Sequence, residues 1–306
     1  MVVNHHPLMT DATPISRPMN RTMELLVRAK KRLAPNFRLE DLPLYVPAKK
    51  WVFDRLRQKE VTVHGFPFLL DPLDSLELSI FRSYEPFETA LLSAEIRPGM
   101  TIVDVGANIG YYTLLFSKLT GDAGRVYAFE PEPQNFALLQ QNLARNQRTN
   151  VVALNRAASD QAGQSFLYLS TENYGDHQAY PSEDGRRKVA ITMTRLDDCV
   201  PGPVDLIKMD VQGFEAHALN GMEAVIAASP HLMIFTEFWP EGLRRAASDP
   251  ADFLRRLRSF GLEIFFINEY ANRLEPADDA ELLRRYAPAL GTHTNLLCRR
   301  RALTAR

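Results

Sequence analysis

The chain has 306 residues, long for one domain and short for two, which predicts a core domain with an added segment. A hydrophobic fraction of 45% and a charged fraction of 24% suit a globular protein, and a net charge of -1 supplies no overall field for nucleic acid or an acidic membrane. The 2 cysteines, Cys199 and Cys298, lack the spacing of a zinc site or a disulfide framework, and no run approaches the roughly 20 apolar residues of a membrane span, so a cytoplasmic location is expected.

Residues 1–20 are rich in Pro, Asn and Thr without periodicity and are expected to form a loose tail. Residues 21–75 read as an extension. An amphipathic helix over 21–33, "RTMELLVRAKKRL", ends before Pro35, and "VTVHGFPFLLDP" alternates as a hairpin does. The helix has a basic face with Arg28, Lys31 and Arg32, open to weak contact with a membrane surface, to a phosphorylated substrate or to plain solvation. The same segment could serve a homodimer. Residues 76–306 form the main domain, whose first helix starts at Pro86 and stops before Pro98.

From there strand-like runs at "TIVDVG", "RVYAFEP", "NVVALNRAAS", "VDLIKMD", "HLMIFTEF" and "LEIFFINE" alternate with helix-like segments. That order predicts an α/β fold, a mostly parallel sheet with helices on both faces. A last apolar run, "HTNLLCRR", follows an irregular insert and could pair with "LEIFFINE".

The stretch "IVDVGANIGYYTLLF" passes from strand to helix through a glycine-bracketed turn. Asp104 ends the strand, Gly106 and Gly110 bracket the turn, and backbone N–H groups at a helix start face whatever lies above the strand. The spacing is Gly-x-Asn-x-Gly. A dinucleotide site would show the longer Gly-x-Gly-x-x-Gly, so a nicotinamide-dependent oxidoreductase is disfavoured. The carboxylate of Asp104 instead suits a ligand with a charged amino-acid end, such as S-adenosylmethionine. Glu130 closes the next strand, 20 residues after Gly110, at the offset where an acidic residue accepts hydrogen bonds from ribose. After the third strand, Ser159 and Asp160 occupy the loop where a short polar side chain could bond the adenine amino group.

"VDVGANIGYYTLLFSKL", "GRVYAFEPEPQNFALLQQNLARN", "NYGDHQ", "TRLDD", "VDLIKMDVQGFEAHALNGM" and "FTEFWPEGL" together resemble the FkbM-type family of S-adenosylmethionine-dependent methyltransferases, over roughly residues 76–298. The resemblance implies a Rossmann-like class I methyltransferase fold with a seven-stranded sheet whose last strand is antiparallel. It also implies methyl transfer to an oxygen on a sugar, glycolipid or natural product. On matching positions Asp104, Gly106, Asn108 and Gly110 would hold the methionine end, Glu130 the ribose and Asp160 the adenine side. The family more usually carries a glutamate where this chain has Gln212.

A hydroxyl acceptor must be aligned with the methyl carbon and relieved of its proton. His177 is a candidate base, with Asp176 beside it to orient the ring or bind a sugar hydroxyl. Asp210 and Glu237 end the fourth and fifth strands at the ligand-binding edge, and Phe238 and Trp239 offer an apolar plate for a sugar ring. Lys208, two positions before Asp210 on one strand face, could pair with Asp104. Asp210, Asp176 and Glu237 could converge on magnesium, but no Asp-rich ligand loop is present and no metal is expected. A non-catalytic binding module would not need every strand-end polar group, and a nucleic-acid methyltransferase would need a basic stripe that the core lacks.

Overall fold

The computed structural model describes residue 55 and residues 57–171, 173–181, 185–268 and 271–300. The expected tail and the helix over 21–33 lie outside the described residues. The hairpin forms where alternation places it: β1 (Glu60–Val63) and β2 (Phe66–Leu69) pair antiparallel, with Val63 facing Phe66 across His64 and Gly65. Helices α1 (Leu78–Phe81) and α2 (Pro86–Glu95) follow, the second with proline in its first turn. Strand and helix then alternate through β3 (Thr101–Val105), α3 (Tyr111–Thr120), β4 (Arg125–Phe129), α4 (Pro133–Arg145) and β5 (Val151–Leu154).

Next, β6 (Ala157–Ala158), β7 (Gly163–Leu169) and β8 (Arg187–Thr194) leave the main sheet and form a small one in the order β6-β8-β7. The chain returns through β9 (Leu206–Met209), α5 (Glu215–Asn220), α6 (Glu223–Ala228), β10 (Met233–Phe238), α7 (Pro240–Arg245), α8 (Pro250–Ser259) and β11 (Leu262–Asn268). It ends with β12 (Arg273–Pro276), α9 (Asp279–Arg285) and β13 (Thr294–Arg300).

The main sheet runs β12-β11-β13-β10-β9-β3-β4-β5. Strands β10, β9, β3, β4 and β5 are parallel, and β13 is antiparallel to both its neighbours, β10 and β11. The expected seven strands are therefore present with the last one antiparallel, and the short β12 adds an eighth at the edge. Strand order reverses between β3 and β9, the kind of switch point at which open α/β sheets leave a crevice for ligands.

Period-two alternation sorts the interior strands between two buried layers. Val103 and Val105 pack with Ile207, Met209 and the α5–α8 side, whereas Ile102, Val126 and Leu206 pack with α2, α3 and the hairpin residues Val61, Val63, Phe66 and Phe68. The hairpin thus shares the core of the main domain. Asn142 of α4 fastens it there. Its Oδ1 accepts from the Leu69 N–H at 2.7 Å, and its Nδ2 donates to the carbonyls of Leu69 at 3.0 Å and of Ile109, in the turn after β3, at 2.9 Å. This amide is fully buried, so Asn142→Ala leaves three backbone groups short of a partner. We expect the substitution to destabilise the protein by about 2–4 kcal/mol, read as a lower denaturant midpoint with an unchanged slope.

Candidate active site

The turns that follow β3 and β9 touch at the switch point. Gly106 has φ +81°, and a Cβ there would stand 2.0 Å from the Asp210 carbonyl oxygen, so these two turns close only around glycine. At Gly110 (φ +97°) a Cβ would stand 2.7 Å from Leu139 Cδ1, which makes this residue a packing point against α4 and not part of the cavity wall. Above the turns lies a cavity of about 310 Å³. Asp104, Gly106, Asn108 and Glu130 line it on the β3–β4 side, and Glu85, Lys208, Asp210, Glu237 and His293 on the β9–β10 side.

The β3–β4 side fits a nucleoside with an amino-acid end. Glu130 is buried, and its two oxygens accept the Asn108 and Glu132 N–H groups, each at 2.8 Å. Burial pushes its carboxyl up to about 8 against the pull of those N–H groups. Each oxygen keeps a further lone pair for a diol. Asp104 is fully buried, with Oδ2 accepting the Thr113 hydroxyl at 2.6 Å and Oδ1 without a partner among the described residues. Burial raises its pKa, and Lys208 and Thr113 oppose the rise.

The β9–β10 side concentrates charge. Lys208 faces Asp104 in the register of the two strands, lies 3.4 Å from Asp210 and sits over the Tyr112 ring at 5.0 Å. Burial pulls its pKa down, but Asp210, Asp104 and Glu85 together hold it above the ordinary lysine value. Its ion pair is therefore with Asp210 and not with Asp104. Glu85 accepts the Tyr112 hydroxyl at 2.8 Å, and burial together with the Asp210 charge lifts its carboxyl to about 7. Burial and the charges of Asp210, Glu215 and Glu85 also push Glu237 well up, and its Oε2 is buried without a partner among the described residues.

Several expected site residues fall elsewhere. Ser159 and Asp160 do not line the cavity. β6 turns the chain into the small sheet, where the Ser159 Oγ donates to Asp160 at 3.0 Å and Asp160 lies 3.5 Å from His217 on α5, so the wall on that side is made by Arg156, Ala157 and Ala158. Asp176 is held by Arg186 at 2.8 Å and does not line the cavity, though its charge still acts on the His177 ring. His177 does line the cavity, but its Nδ1 accepts the Ser170 N–H at 3.0 Å and burial lowers its pKa to about 4. The neutral ring must then carry its proton on Nε2, which makes His177 a donor in this geometry and not a base. Phe238 is fully buried against Phe253, and Trp239 packs on Gly242 and Arg245, so neither offers the cavity a plate. Among the described residues no group of three or more His, Cys, Asp or Glu side chains is placed to hold a metal ion.

Glu85, Tyr84 and Tyr112 escaped the sequence reading. "YEP" announces only a helix start, whereas Glu85 takes a left-handed backbone conformation (φ 42°) ahead of Pro86 and lines the cavity. The "NYGDHQ" block belongs to the loop between β7 and β8, which brings Asn173, Tyr174 and Gly175 over the cradle.

Residues 104–264 match the model of the methyltransferase FkbM domain. The chain is 30% identical over 162 residues to the 31-O-demethyl-FK506 methyltransferase FkbM of Streptomyces tacrolimicus, covering 42% of this chain and 62% of that one. It is 32% identical over 136 residues to the hexuronic acid methyltransferase AglP of Haloferax volcanii, covering 43% and 54%. Both matches span less than two thirds of the relative's length. A crystal structure of a SAM-dependent O-methyltransferase from Thermotoga maritima aligns with a TM-score of 0.41 at 13% identity, over 81% of this chain and 79% of that one. No helix among the described residues is long and apolar enough to cross a membrane. The chain belongs to the FkbM methyltransferase family, and S-adenosylmethionine is its cofactor.

Proposed function

We propose that the protein is an O-methyltransferase whose acceptor is a hydroxyl on an uncharged sugar, glycolipid or natural product. The observation that carries this reading is the charge of the β9–β10 side: Glu85, Asp210 and Glu237 line it together, with the ammonium of Lys208 already committed to Asp210. A carboxylate acceptor would meet like charge there, and a hydroxyl acceptor meets what it needs, a proton acceptor. The names of the relatives agree in part. One acts on 31-O-demethyl-FK506 and the other on a hexuronic acid.

When bound, S-adenosylmethionine supplies a methyl group on a positively charged sulfur, a good leaving group. Glu130 would hold the ribose hydroxyls, and Asp104 and the Gly106–Asn108 turn the amino-acid end. Glu85 is the proposed base. Its carboxyl lies near 7, close to the working pH of a general base, and the Tyr112 hydroxyl fixes its orientation. The Glu85 carboxylate would take the O–H proton of the acceptor, whose oxygen would gain the methyl group as the electron pair of the carbon–sulfur bond stays on sulfur. His177, with its proton on a buried Nε2, would take no proton.

Calorimetric titration tests the cofactor half: S-adenosylmethionine should bind, NADH should not, and Glu130→Ala should weaken binding by about 10- to 100-fold. Screening neutral glycosides, glycolipids and macrolides beside uronates for a mass gain of one methylene tests the acceptor half. Methylation of the uronates alone would refute the uncharged acceptor, and a methyl group released by mild alkali, as from an ester, would refute the hydroxyl assignment. With a working acceptor, kcat/KM for S-adenosylmethionine, which reports the donor-free protein, should rise with pH and level off above about 7 as Glu85 ionises. Glu85→Gln should lower kcat by about 10²-fold or more while leaving S-adenosylhomocysteine affinity within a factor of a few.

A further inference from the structure

Glu85 and Glu237 reach the same cavity from opposite elements, the start of α2 and the end of β10, with Asp210 between them in charge. Facing Glu85 are Lys208 and Asp210 from β9 and its turn, Tyr112 from α3, and Glu88 one turn along α2. Facing Glu237 are Asp210, Lys208, Glu85, Glu215 of α5, and His293 at 3.9 Å. One buried ammonium thus stands against three carboxylates. Glu237 Oε2 has no partner among the described residues although it is buried, a position that a carboxylate tolerates poorly and a carboxylic acid tolerates better. In the absence of a second cation the cluster therefore retains a proton.

We propose that the Glu85–Asp210–Glu237 cluster gives up a proton when the sulfonium-bearing methyl donor binds and keeps it when the demethylated product, whose sulfur is uncharged, binds. This rests on the proposed function, since it takes the cluster to be the end of the cavity where methyl transfer occurs. The physical basis is a cation entering a poorly solvated cavity lined by acids, where it lowers their pKa values over several ångströms. The O–H bond of a carboxylic acid breaks, the electron pair stays on the carboxylate and the proton leaves to solvent. The base is thereby ionised while the donor is present. After transfer it holds the acceptor's proton beside an uncharged sulfur, a combination that the cluster stabilises without help.

Calorimetry in buffers of different ionisation enthalpy measures the protons exchanged when S-adenosylmethionine or S-adenosylhomocysteine binds the full chain, with no acceptor needed. Glu130 and the site for the amino-acid end meet both ligands, so their contributions largely cancel in the comparison. At pH 7, where Glu85 is about half protonated, the donor should release about half a proton more than the product. That excess should shrink by pH 9 and be lost in Glu85→Gln; Glu237→Gln should reduce it. Equal proton release by the two ligands in the wild-type protein would overturn the proposal and leave the methyltransferase reading standing. Binding of neither ligand would overturn both. The wild-type comparison stands even if a glutamine variant fails to fold.

Discussion

Lys208 is 3% exposed, and an ammonium so enclosed costs several kcal/mol unless anions compensate it. Its compensation defines the site. Asp210 lies two residues further along the same chain segment, Asp104 faces it in register on β3, and Glu85 adds a third acidic group from the start of α2. Without these acids burial would pull the lysine's pKa down unopposed. The lysine balances one charge, however, and the acids exceed one. Burial, reinforced by that surplus, raises Glu85 and Glu237 and supports the proton-accepting role proposed for this end of the cavity.

Much of this was legible from sequence because the interior strands obey a simple rule. Strands covered on both faces read as continuous apolar runs, so β3, β4, β9 and β10 stood out, as did the glycine-bracketed turn that lets β3 approach Asp210. β7 and β8 did not, because they sit in a small sheet where each strand is exposed over its first half and buried only near its end. Ser159 and Asp160 were misplaced for a related reason: a strand followed by a polar loop resembles its neighbours in sequence, and nothing local signals that Ala157–Ala158 turns away to pair with β8. Asp176 acts on His177 through its charge, but its carboxylate is held by Arg186, a partner that the sequence spacing does not reveal. Glu85 was invisible because its value comes from long-range partners: Tyr112 from 27 residues away, and Lys208 and Asp210 from the far side of the switch point.

The proposed acceptor end also draws on residues outside the segment that carries the family match. Glu85 precedes residue 104, and His293 follows residue 264. Two adjacent tyrosines at the start of α3 join this outlying material to the cradle. Residues one apart on a helix point about 100° apart, so Tyr111 and Tyr112 serve different neighbours. The Tyr111 hydroxyl meets His64 of the hairpin turn at 2.9 Å and accepts the Tyr84 N–H at 3.1 Å, fixing the backbone just before Glu85. The Tyr112 hydroxyl donates to Glu85 itself, and its ring lies under Lys208. The helix that begins at the cofactor turn therefore also sets the backbone and the side chain of the proposed base. A cradle built largely of backbone leaves little room for variation, whereas the acceptor end, assembled from side chains on separate segments, can change its charge and shape without disturbing it.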